Sequence, residues 1–523
     1  MAPASLSTDR PSRRLPFAPS TESLFVMALV LWGWRLGTKA ISDNSAFVHL
    51  RTGLDMVSGH GIPRTDPYSF TALGEDWTVQ SWLASWTYGW AERLGGFELV
   101  VVEQAVLMAV LAWLMARLAR TGRALPTAAA AVTAIAVGSP FWVPRPLLFG
   151  LIGLALVVTV VERRASPWWL LPIFWMWVNS HGSFPLGLGW LVLWVGGSYL
   201  DRRRSSSAHR RRVQPISPVA RSDHSAGAGP AAPWSRTGTV SYLGAGALGV
   251  ALGAVSPLGW RLLVFPLTAW ERRDVFRTLT EWRPPVVGQA DTTVAFVAMA
   301  AAALLLVVAA RRARVIRLAD LLPMAVFGVA GFTAMRNLPM LAVVVAAPLG
   351  RAATDAFIAG RPAARRSTEG PAVSARGPNG ALAGVMAVAF VVFGLAAWQG
   401  SGLELEDDRH APAAVEWLAG SDLFASGSRI ANDEVVGGWL VLRFGRAGPG
   451  VFIDDRFDMY PIALSHDLDV LRAGGEPSLN VLDRHNIDAV LWLRSRRLDD
   501  TLLEAGWIER YADVHFTVLE RPA

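Results

Sequence analysis

Two aspartates, Asp43 and Asp66, are the residues best suited to chemistry in this sequence, and both lie in the segment 41–97. The residue pattern predicts a helix over 47–57, with Asp43 near its N-terminus and Arg51 about two turns further along. A helix N-terminus stabilises a carboxylate as the anion, which is the form that a general base requires. Asp43 is therefore a candidate base, and Asp66 is a second acidic candidate.

Each of these residues also has a purely structural interpretation. Asp43 follows Ser42 and could simply cap the helix, whereas Asp66 precedes Pro67 in a pattern typical of turns. His49 has no second histidine at helical spacing, so a hydrogen bond within the segment is favoured over a metal site. For Asp66, the roles of base, metal ligand and loop anchor all stay open.

The composition indicates what must position these residues. The chain has 523 residues, of which 52% are hydrophobic and 17% charged, whereas an ordinary soluble domain has about 25% charged residues. Its 23 tryptophans suit a protein with two membrane–water interfaces. Apolar runs recur at about 22–40, 98–116, 125–143, 146–161, 167–180, 184–200, 238–256, 292–310, 318–335, 337–350 and 380–398. The predicted fold class is therefore a polytopic α-helical membrane protein with about 11 transmembrane helices.

The arginines predict the orientation of these spans. With the tail 1–21 in the cytoplasm, most arginine-rich gaps fall on the cytoplasmic side. The segment 41–97 then becomes the first outer loop, and the C-terminus lies outside. No small-x-small cleavage site follows the first apolar run, which favours a retained anchor over a signal peptide.

Charge divides the chain near residue 400. Residues 1–400 carry 37 basic and 20 acidic side chains, whereas residues 401–523 carry 12 and 22, which indicates two environments. The loops 201–237 and 351–379 have the composition of disordered cytoplasmic linkers, with a basic lipid-headgroup site as the minority interpretation. The part 401–523 is predicted to be a small extracytoplasmic α/β domain. Its predicted strands are 430–432, 451–454, 489–493 and 514–519, and its predicted helices are 411–419, 437–444 and 498–505.

The sequence also excludes several chemistries. Because the chain has no cysteine, it has no disulfide, no thiolate nucleophile and no cysteine-based metal site. It lacks the G-x-x-x-x-G-K-[ST], H-E-x-x-H and G-x-S-x-G motifs, so ATP hydrolysis by this chain is not expected. Its arginines lie in short runs between apolar stretches, which does not indicate nucleic-acid binding.

The motifs together resemble one group of membrane enzymes. The 41–97 segment reads D…H-x-R-T-G…P-R-T-D-P-x-S-F-T…W…W-L. Further motifs are W-V-N-S-H-G-S-F at 177–184, S-P-L-G-W at 256–260, T-E-W-R-P at 280–284, R-N-L-P at 336–339, N-D-E-V-V-G-G-W at 432–439 and V-F-I-D-D-R at 451–456. This pattern resembles polytopic bacterial membrane proteins related to the GT-C glycosyltransferases, such as protein O-mannosyltransferases, lipid A aminoarabinose transferases and oligosaccharyltransferases.

The resemblance implies a GT-C-like domain over 22–400 in the bacterial plasma membrane. It implies transfer of a sugar from a polyprenyl-phosphate donor to a glycan, lipid or protein acceptor of the cell envelope, on the outer face. Asp43 takes the position of the acidic residue that acts on the acceptor hydroxyl, and Asp66 is the second catalytic candidate. Positive charge against the departing phosphate would come from Arg51, Arg64, Arg145 and Arg336.

The resemblance also implies substrate-binding positions, which are His49, Trp82, Asn179, His181, Glu281 and Trp282. Glu281 and Trp282 could equally be an interfacial anchor, and Arg336 could be a membrane-edge arginine. The family often has a paired acidic motif, or a glutamate before the Trp-Leu pair, where Asn44 and Gln80 stand here. No cofactor is therefore assigned, and a divalent cation such as Mg²⁺ or Mn²⁺ stays open. The Asp454-Asp455-Arg456 run is expected to form a solvated turn, with contact to the acceptor as the less favoured interpretation.

Two other functions remain open at this point. A transporter or flippase for a lipid-linked sugar predicts charged residues within the spans, and the sequence has few of them. A non-catalytic envelope-assembly protein predicts a C-terminal domain that binds partners. A transferase instead predicts a cavity beneath the first outer loop.

Overall fold

The computed structural model describes residues 19–212, 236–276, 279–312, 317–358, 376–400, 402–494 and 497–522. The helices of its first half are α1 Thr21–Gly37, α2 Asn44–Asp55, α3 Trp82–Leu118, α4 Ala124–Gly138, α5 Leu147–Glu162, α6 Leu170–Ser180 and α7 Phe184–Arg212. They are followed by α8 Arg236–Leu252, α9 Arg261–Glu271, α10 Arg273–Phe276, α11 Ala290–Arg312, α12 Leu318–Thr333, α13 Leu338–Ile358 and α14 Arg376–Gln399. Each predicted apolar run overlaps one of these helices.

The helices indicate a helical membrane protein. Five helical segments among the described residues are long and apolar enough to cross a membrane, and three shorter apolar helices accompany them. Only 6% of the apolar window of α14 is buried within the protein, so its apolar surface faces outwards, as it does in lipid-exposed helices. α6 has 11 residues, about 16 Å, which is short for a bilayer core of about 30 Å. Eleven crossings therefore remain a prediction.

The 41–97 segment is more helical than the sequence predicts. α2 begins at Asn44 rather than at 47, because the Asp43 side chain caps it by accepting a hydrogen bond from the Ala46 amide at 3.0 Å. α3 begins at Trp82, so 82–97 belongs to this helix and not to a loop. Gly95 and Gly96 leave helical geometry and bend α3 at this point.

Two glycines let α2 lie directly against α3. A Cβ atom at Gly53 would lie 1.9 Å from the Ser85 carbonyl oxygen, and one at Gly89 would lie 2.3 Å from the Gly53 backbone. No rotamer change can relieve a contact between backbones. This close backbone contact therefore fixes the position of α2, and of Asp43 at its start, along the axis of α3.

The C-terminal part is the predicted α/β domain. Its strands are β1 Ile430–Asn432, β2 Ala489–Leu493, β3 Ile508–Ala512 and β4 Phe516–Glu520, in the order β1-β2-β4-β3. β1 pairs parallel with β2, and the other pairs are antiparallel. Its helices are α15 Asp407–His410, α16 Pro412–Ala419, α17 Asp422–Ala425, α18 Glu434–Phe444, α19 Ile462–Ala473, α20 Glu476–Arg484 and α21 Arg497–Glu504.

The prediction of a strand over 451–454 was wrong. Val451 makes only an isolated bridge, to Ser69 of the 41–97 segment. The Asn432 side chain replaces a neighbouring strand, because it accepts from the Phe452 amide at 2.9 Å and donates to the Ile453 carbonyl at 2.8 Å. The buried, apolar residues of this run have the sequence pattern of a strand. Their backbone hydrogen bonds, however, are made with the Asn432 side chain and with the 41–97 segment rather than with a neighbouring strand.

Both predicted linkers are shorter than the sequence indicates. α7 continues to Arg212 and α13 to Ile358, so the helices extend into the ranges 201–237 and 351–379. The rest of each linker, at 213–235 and 359–375, lies outside the described residues, as do residues 1–18 of the predicted tail.

We expect Gly53→Ala to destabilise the protein, because its methyl group would meet the Ser85 carbonyl. Overpacking of this kind costs about 1–3 kcal/mol. The control is Gly189→Ala in α7, where a Cβ meets nothing within 4 Å. Thermal unfolding in detergent should show a lower Tm for Gly53→Ala and an unchanged or higher one for Gly189→Ala. Equal Tm values for the two variants would contradict the close α2–α3 contact.

Candidate active site

Four charged side chains from four separate segments meet above the helices. Asp43 stands at the start of α2, and Arg145 lies in the turn between α4 and α5. Glu281 belongs to a 3₁₀ turn before α11, and Arg336 to the 3₁₀ turn between α12 and α13. The structure thus brings together one predicted catalytic residue, two predicted phosphate ligands and one predicted substrate contact.

Arg145 is the centre of this cluster. Its Nε donates to both carboxylate oxygens of Asp43, at 2.8 and 2.9 Å, and its Nη1 donates to Glu281 Oε2 at 2.6 Å. Glu281 Oε1 accepts from Arg336 Nη1 at a longer 3.3 Å. Burial by itself lowers the pKa of Arg145, but Asp43 and Glu281 outweigh it and hold that pKa well above its ordinary value. Arg145 is therefore a permanent cation.

Aromatic rings hold Arg336 in place. Its guanidinium lies 4.1 Å from the centroid of the Trp282 ring, and Trp282 in turn stacks on Phe276 at 4.8 Å. A guanidinium over an indole face is attracted by the ring quadrupole. Trp282 thus supports Arg336, a phosphate-binding candidate.

A fifth residue, Asp455, reaches the cluster from the C-terminal domain, where the sequence favours a solvated turn over contact with the acceptor. Its side chain lies close to Ser45, next to the start of α2, and interacts electrostatically with Arg145, Glu281 and Asp43. Burial raises the pKa of Asp455 to about 7; Arg145 opposes the rise, and the two carboxylates add to it. Asp455 can therefore give or take a proton near neutral pH. The only sequence signal was a carboxylate pair ending an apolar run.

Two predicted substrate-binding histidines lie at the edge of the cluster. His49 Nδ1 lies 3.1 Å from Ser85 Oγ, and His181 Nδ1 lies 2.8 Å from Ser183 Oγ. Burial lowers the pKa of His49 to about 4, Arg145 adds to this effect, and Asp43 opposes it. His49 is therefore neutral at pH 7 and available as a hydrogen-bonding group rather than as a cation.

Asn179 and Trp82 hold helices together. Trp82 Nε1 donates to Asn179 Oδ1 at 2.8 Å, and Asn179 Nδ2 donates to the carbonyls of Trp175 and Gly253. Asn179 is fully buried. Each polar atom of the Asn179 side chain thus has a partner within the protein, which places these two residues in positioning roles.

Asp66 belongs to a different cluster from Asp43. It accepts from the Tyr68 and Ser69 amides, at 3.0 and 3.1 Å, and pairs with Arg456 of the C-terminal domain. Arg456 also binds Asp454 and lies over the rings of Tyr68, Trp77 and Tyr460. Asp66 and Arg456 are 1% and 5% exposed, so this ion pair is a buried joint between the 41–97 segment and the C-terminal domain.

Arg51 and Arg64 also point to partners outside the Asp43 cluster. Arg51 pairs with Asp55 at 2.6 Å, one turn along α2, and lies about 12 Å from Asp43 along the helix. Arg64 donates to the Pro257 carbonyl at 2.9 Å. Of the four predicted phosphate ligands, Arg145 and Arg336 are the two that lie together at the site.

The carboxylates of the cluster are engaged by arginines. Within the described residues, no group of three His, Asp or Glu side chains could hold a metal ion. Both Asp43 and Glu281 give oxygens to Arg145, and Asn44 and Gln80 are occupied elsewhere. Asn44 donates to the Glu434 carbonyl at 2.7 Å, and Gln80 accepts from the Gly182 amide at 2.7 Å.

Neither a protein-family model nor a curated protein matches this chain. The site contains a carboxylate, a second acid with a pKa near neutrality, a neutral imidazole and two guanidinium groups. Such a set can remove a proton and stabilise an oxyanion such as a phosphate.

We expect Asp455 to make stability depend on pH. Because its pKa is about 7, the folded protein holds a proton that the unfolded chain releases near pH 4, so the free energy of unfolding falls as pH rises between these values. Asp455→Asn removes this contribution. Between about pH 5 and pH 7.5, the Tm of the variant should fall less than that of the wild type.

The buried residues His49 and Asp458 titrate in both proteins, so their contributions cancel in this comparison. Asp76→Asn, which removes an exposed carboxylate, is the control and should follow the wild type. Parallel Tm–pH curves for the wild type and Asp455→Asn would show that Asp455 is not protonated near neutral pH.

Proposed function

We propose that this chain is a GT-C-like membrane glycosyltransferase. It would transfer a sugar from a polyprenyl-phosphate donor to an acceptor hydroxyl of the bacterial cell envelope. The observation that carries the proposal is the placement of the Asp43 carboxylate beside the guanidinium groups of Arg145 and Arg336, with Glu281 bridging the two arginines. This is the pairing of base and anion-binding groups that transfer from a sugar phosphate requires.

In the proposed reaction, Asp43 accepts the proton of the acceptor hydroxyl. The acceptor oxygen forms a bond to the anomeric carbon while the bond from that carbon to the phosphate oxygen breaks. Polyprenyl phosphate leaves with the electron pair, and the guanidinium groups of Arg145 and Arg336 stabilise its charge. Asp455 is then placed to exchange the proton that Asp43 has taken.

The two arginines have a second role before the donor binds. Asp43 and Glu281 neutralise Arg145 and Arg336 in the structure. A donor phosphate would compete with these carboxylates for the same N–H groups, and its binding would release oxygens of Asp43 from Arg145. The base would thus become free only when the donor is present. This order would couple activation of the acceptor hydroxyl to binding of the donor.

The location of the cluster suits a lipid-linked donor. Arg145 precedes α5 and Arg336 precedes α13, and both helices are strongly apolar. Both helices are largely buried within the bundle, so a polyprenyl chain would lie along neighbouring apolar helices that face outwards, with its phosphate reaching the cluster at this end. We propose eleven crossings with the N-terminus in the cytoplasm, which places this end and the C-terminal domain on the outer face.

The direct test is turnover of a panel of synthetic polyprenyl-phosphate sugars by the purified protein in detergent. We expect donor-dependent release of polyprenyl phosphate, reduced about 10²- to 10⁴-fold in Asp43→Asn. Asparagine can still cap α2, so the variant should fold. The control, Asp76→Asn, also loses a carboxylate paired with an arginine, Arg261, but at an exposed position, and should keep full activity.

Binding of the donor without release, equal in the wild type and Asp43→Asn, would reject the transferase and favour a carrier. Absence of donor binding altogether would favour a scaffold. A wild-type rate retained by Asp43→Asn would remove Asp43 from the role of base even if transfer occurs.

A separate expectation distinguishes the two candidate aspartates. Asp66→Asn leaves Arg456 with one buried carboxylate partner fewer, and breaking a buried ion pair costs about 3–5 kcal/mol. The variant should therefore have a lower Tm, with activity per folded molecule close to that of the wild type. A stable Asp66→Asn protein without activity would instead assign Asp66 to the chemistry.

A further inference from the structure

A charged cavity lies at the end of the helix bundle opposite Asp43. It has a volume of about 250 Å³ and lies between the C-terminal ends of α3 and α5 and the second half of α13. Four of its lining residues are arginines and one is a glutamate; these are Arg117, Arg120, Arg163, Arg351 and Glu162. The volume is several times the roughly 30 Å³ of a water molecule, so a small polar group fits.

The helices themselves give the distance from the candidate active site. Arg145 precedes α5 and Arg163 follows it, so the two are about 25 Å apart at 1.5 Å per helical residue. Arg336 and Arg351 bracket the first part of α13 in the same way. The cavity is therefore close to one bilayer thickness from Asp43 and does not belong to that site.

Two of the four arginines are neutralised by carboxylates. Arg120 pairs with Glu22 at 2.8 Å, at the start of α1. Arg351 pairs with Glu162 at 2.7 Å and with Asp320 at 2.6 Å. These ion pairs connect α1, α5, α12 and α13 around the cavity. The side chains that line it are therefore fixed in position.

The other two arginines have no such partner. Neither Arg117 nor Arg163 forms an ion pair with a carboxylate in the part of the chain that the structure describes. Arg117 lies 5.9 Å from the Trp113 ring centroid, and its Nε is buried without a hydrogen-bond partner. A buried guanidinium N–H without an acceptor is costly, and a bound anion would satisfy it.

We propose that this cavity binds a phosphate group, through Arg117 and Arg163. Phosphate oxygens accept two parallel N–H groups from one guanidinium, and the ion pairs of Arg120 and Arg351 hold the cavity wall around the bound group.

The source of the phosphate is either the headgroup of an anionic lipid or a soluble phosphate compound. The position of the cavity at the end of α3 suits the headgroup, because acyl chains can lie against the exposed apolar face of α3 formed by Val106, Val110 and Trp113. The proposal does not depend on the function of the Asp43 site.

The test uses the full chain in a neutral detergent. Short-chain phosphatidylglycerol, short-chain phosphatidylcholine and inorganic phosphate are titrated separately while thermal stability is measured. We expect a saturable rise in Tm with phosphatidylglycerol or with phosphate, and a dissociation constant at least about tenfold weaker in Arg117→Gln/Arg163→Gln. Arg117→Lys/Arg163→Lys keeps the charge and should retain most of the binding.

The matched control is Arg311→Gln, which removes an exposed arginine at the end of α11, outside the cavity. It should bind as the wild type does. If the double variant does not fold, Arg163→Gln alone, at the exposed edge, should still weaken binding severalfold.

The ligand arms identify the source. A Tm rise with phosphatidylglycerol alone supports a lipid headgroup, and a rise with inorganic phosphate supports a soluble compound. A rise with phosphatidylcholine equal to that with phosphatidylglycerol, no rise with any ligand, or a rise unchanged in the glutamine variants would overturn the proposal.

Discussion

The organisation of the candidate site depends on the need to neutralise one half-buried cation, Arg145. A guanidinium removed from water is costly unless carboxylates surround it, and those that pair with Arg145 come from the start of α2 and from the turn before α11. Satisfying this charge brings together segments that are more than 100 residues apart. Asp43 consequently has three roles: it caps α2, it pairs with Arg145, and it is the candidate base.

A buried cation joins the two domains. Arg456 of the C-terminal domain inserts between Asp66 and three aromatic rings, most of them in the 41–97 segment. This joint holds the C-terminal domain over the start of α2 and so brings Asp455 next to Ser45. The C-terminal domain is therefore part of the candidate site, whereas its acidic composition alone suggested a separate outer module.

Arginines at the two ends of the same helices serve different purposes. Near Asp43 every guanidinium of the cluster has a carboxylate partner, which a donor phosphate would replace. At the other end of α5, Arg117 and Arg163 lack one among the described residues, although Arg120 and Arg351 beside them are paired. In the sequence, the distribution of arginines indicates only the orientation of the spans. In the structure, the presence or absence of a carboxylate partner distinguishes the arginines of the Asp43 cluster from Arg117 and Arg163.

The sequence alone was enough to predict the helical class, the positions of the apolar helices, and Asp43 with Arg145, Arg336 and Glu281 as candidates. It also predicted three of the four strands and three of the seven helices that the structure describes in the C-terminal domain. Hydrophobic periodicity and residue type are local properties, so they can be read along the chain. Only the tertiary structure separated Asp66 from Asp43, moved Arg51 and Arg64 out of the site and added Asp455. These outcomes depend on which distant charges meet when they are buried, and no local pattern encodes that pairing.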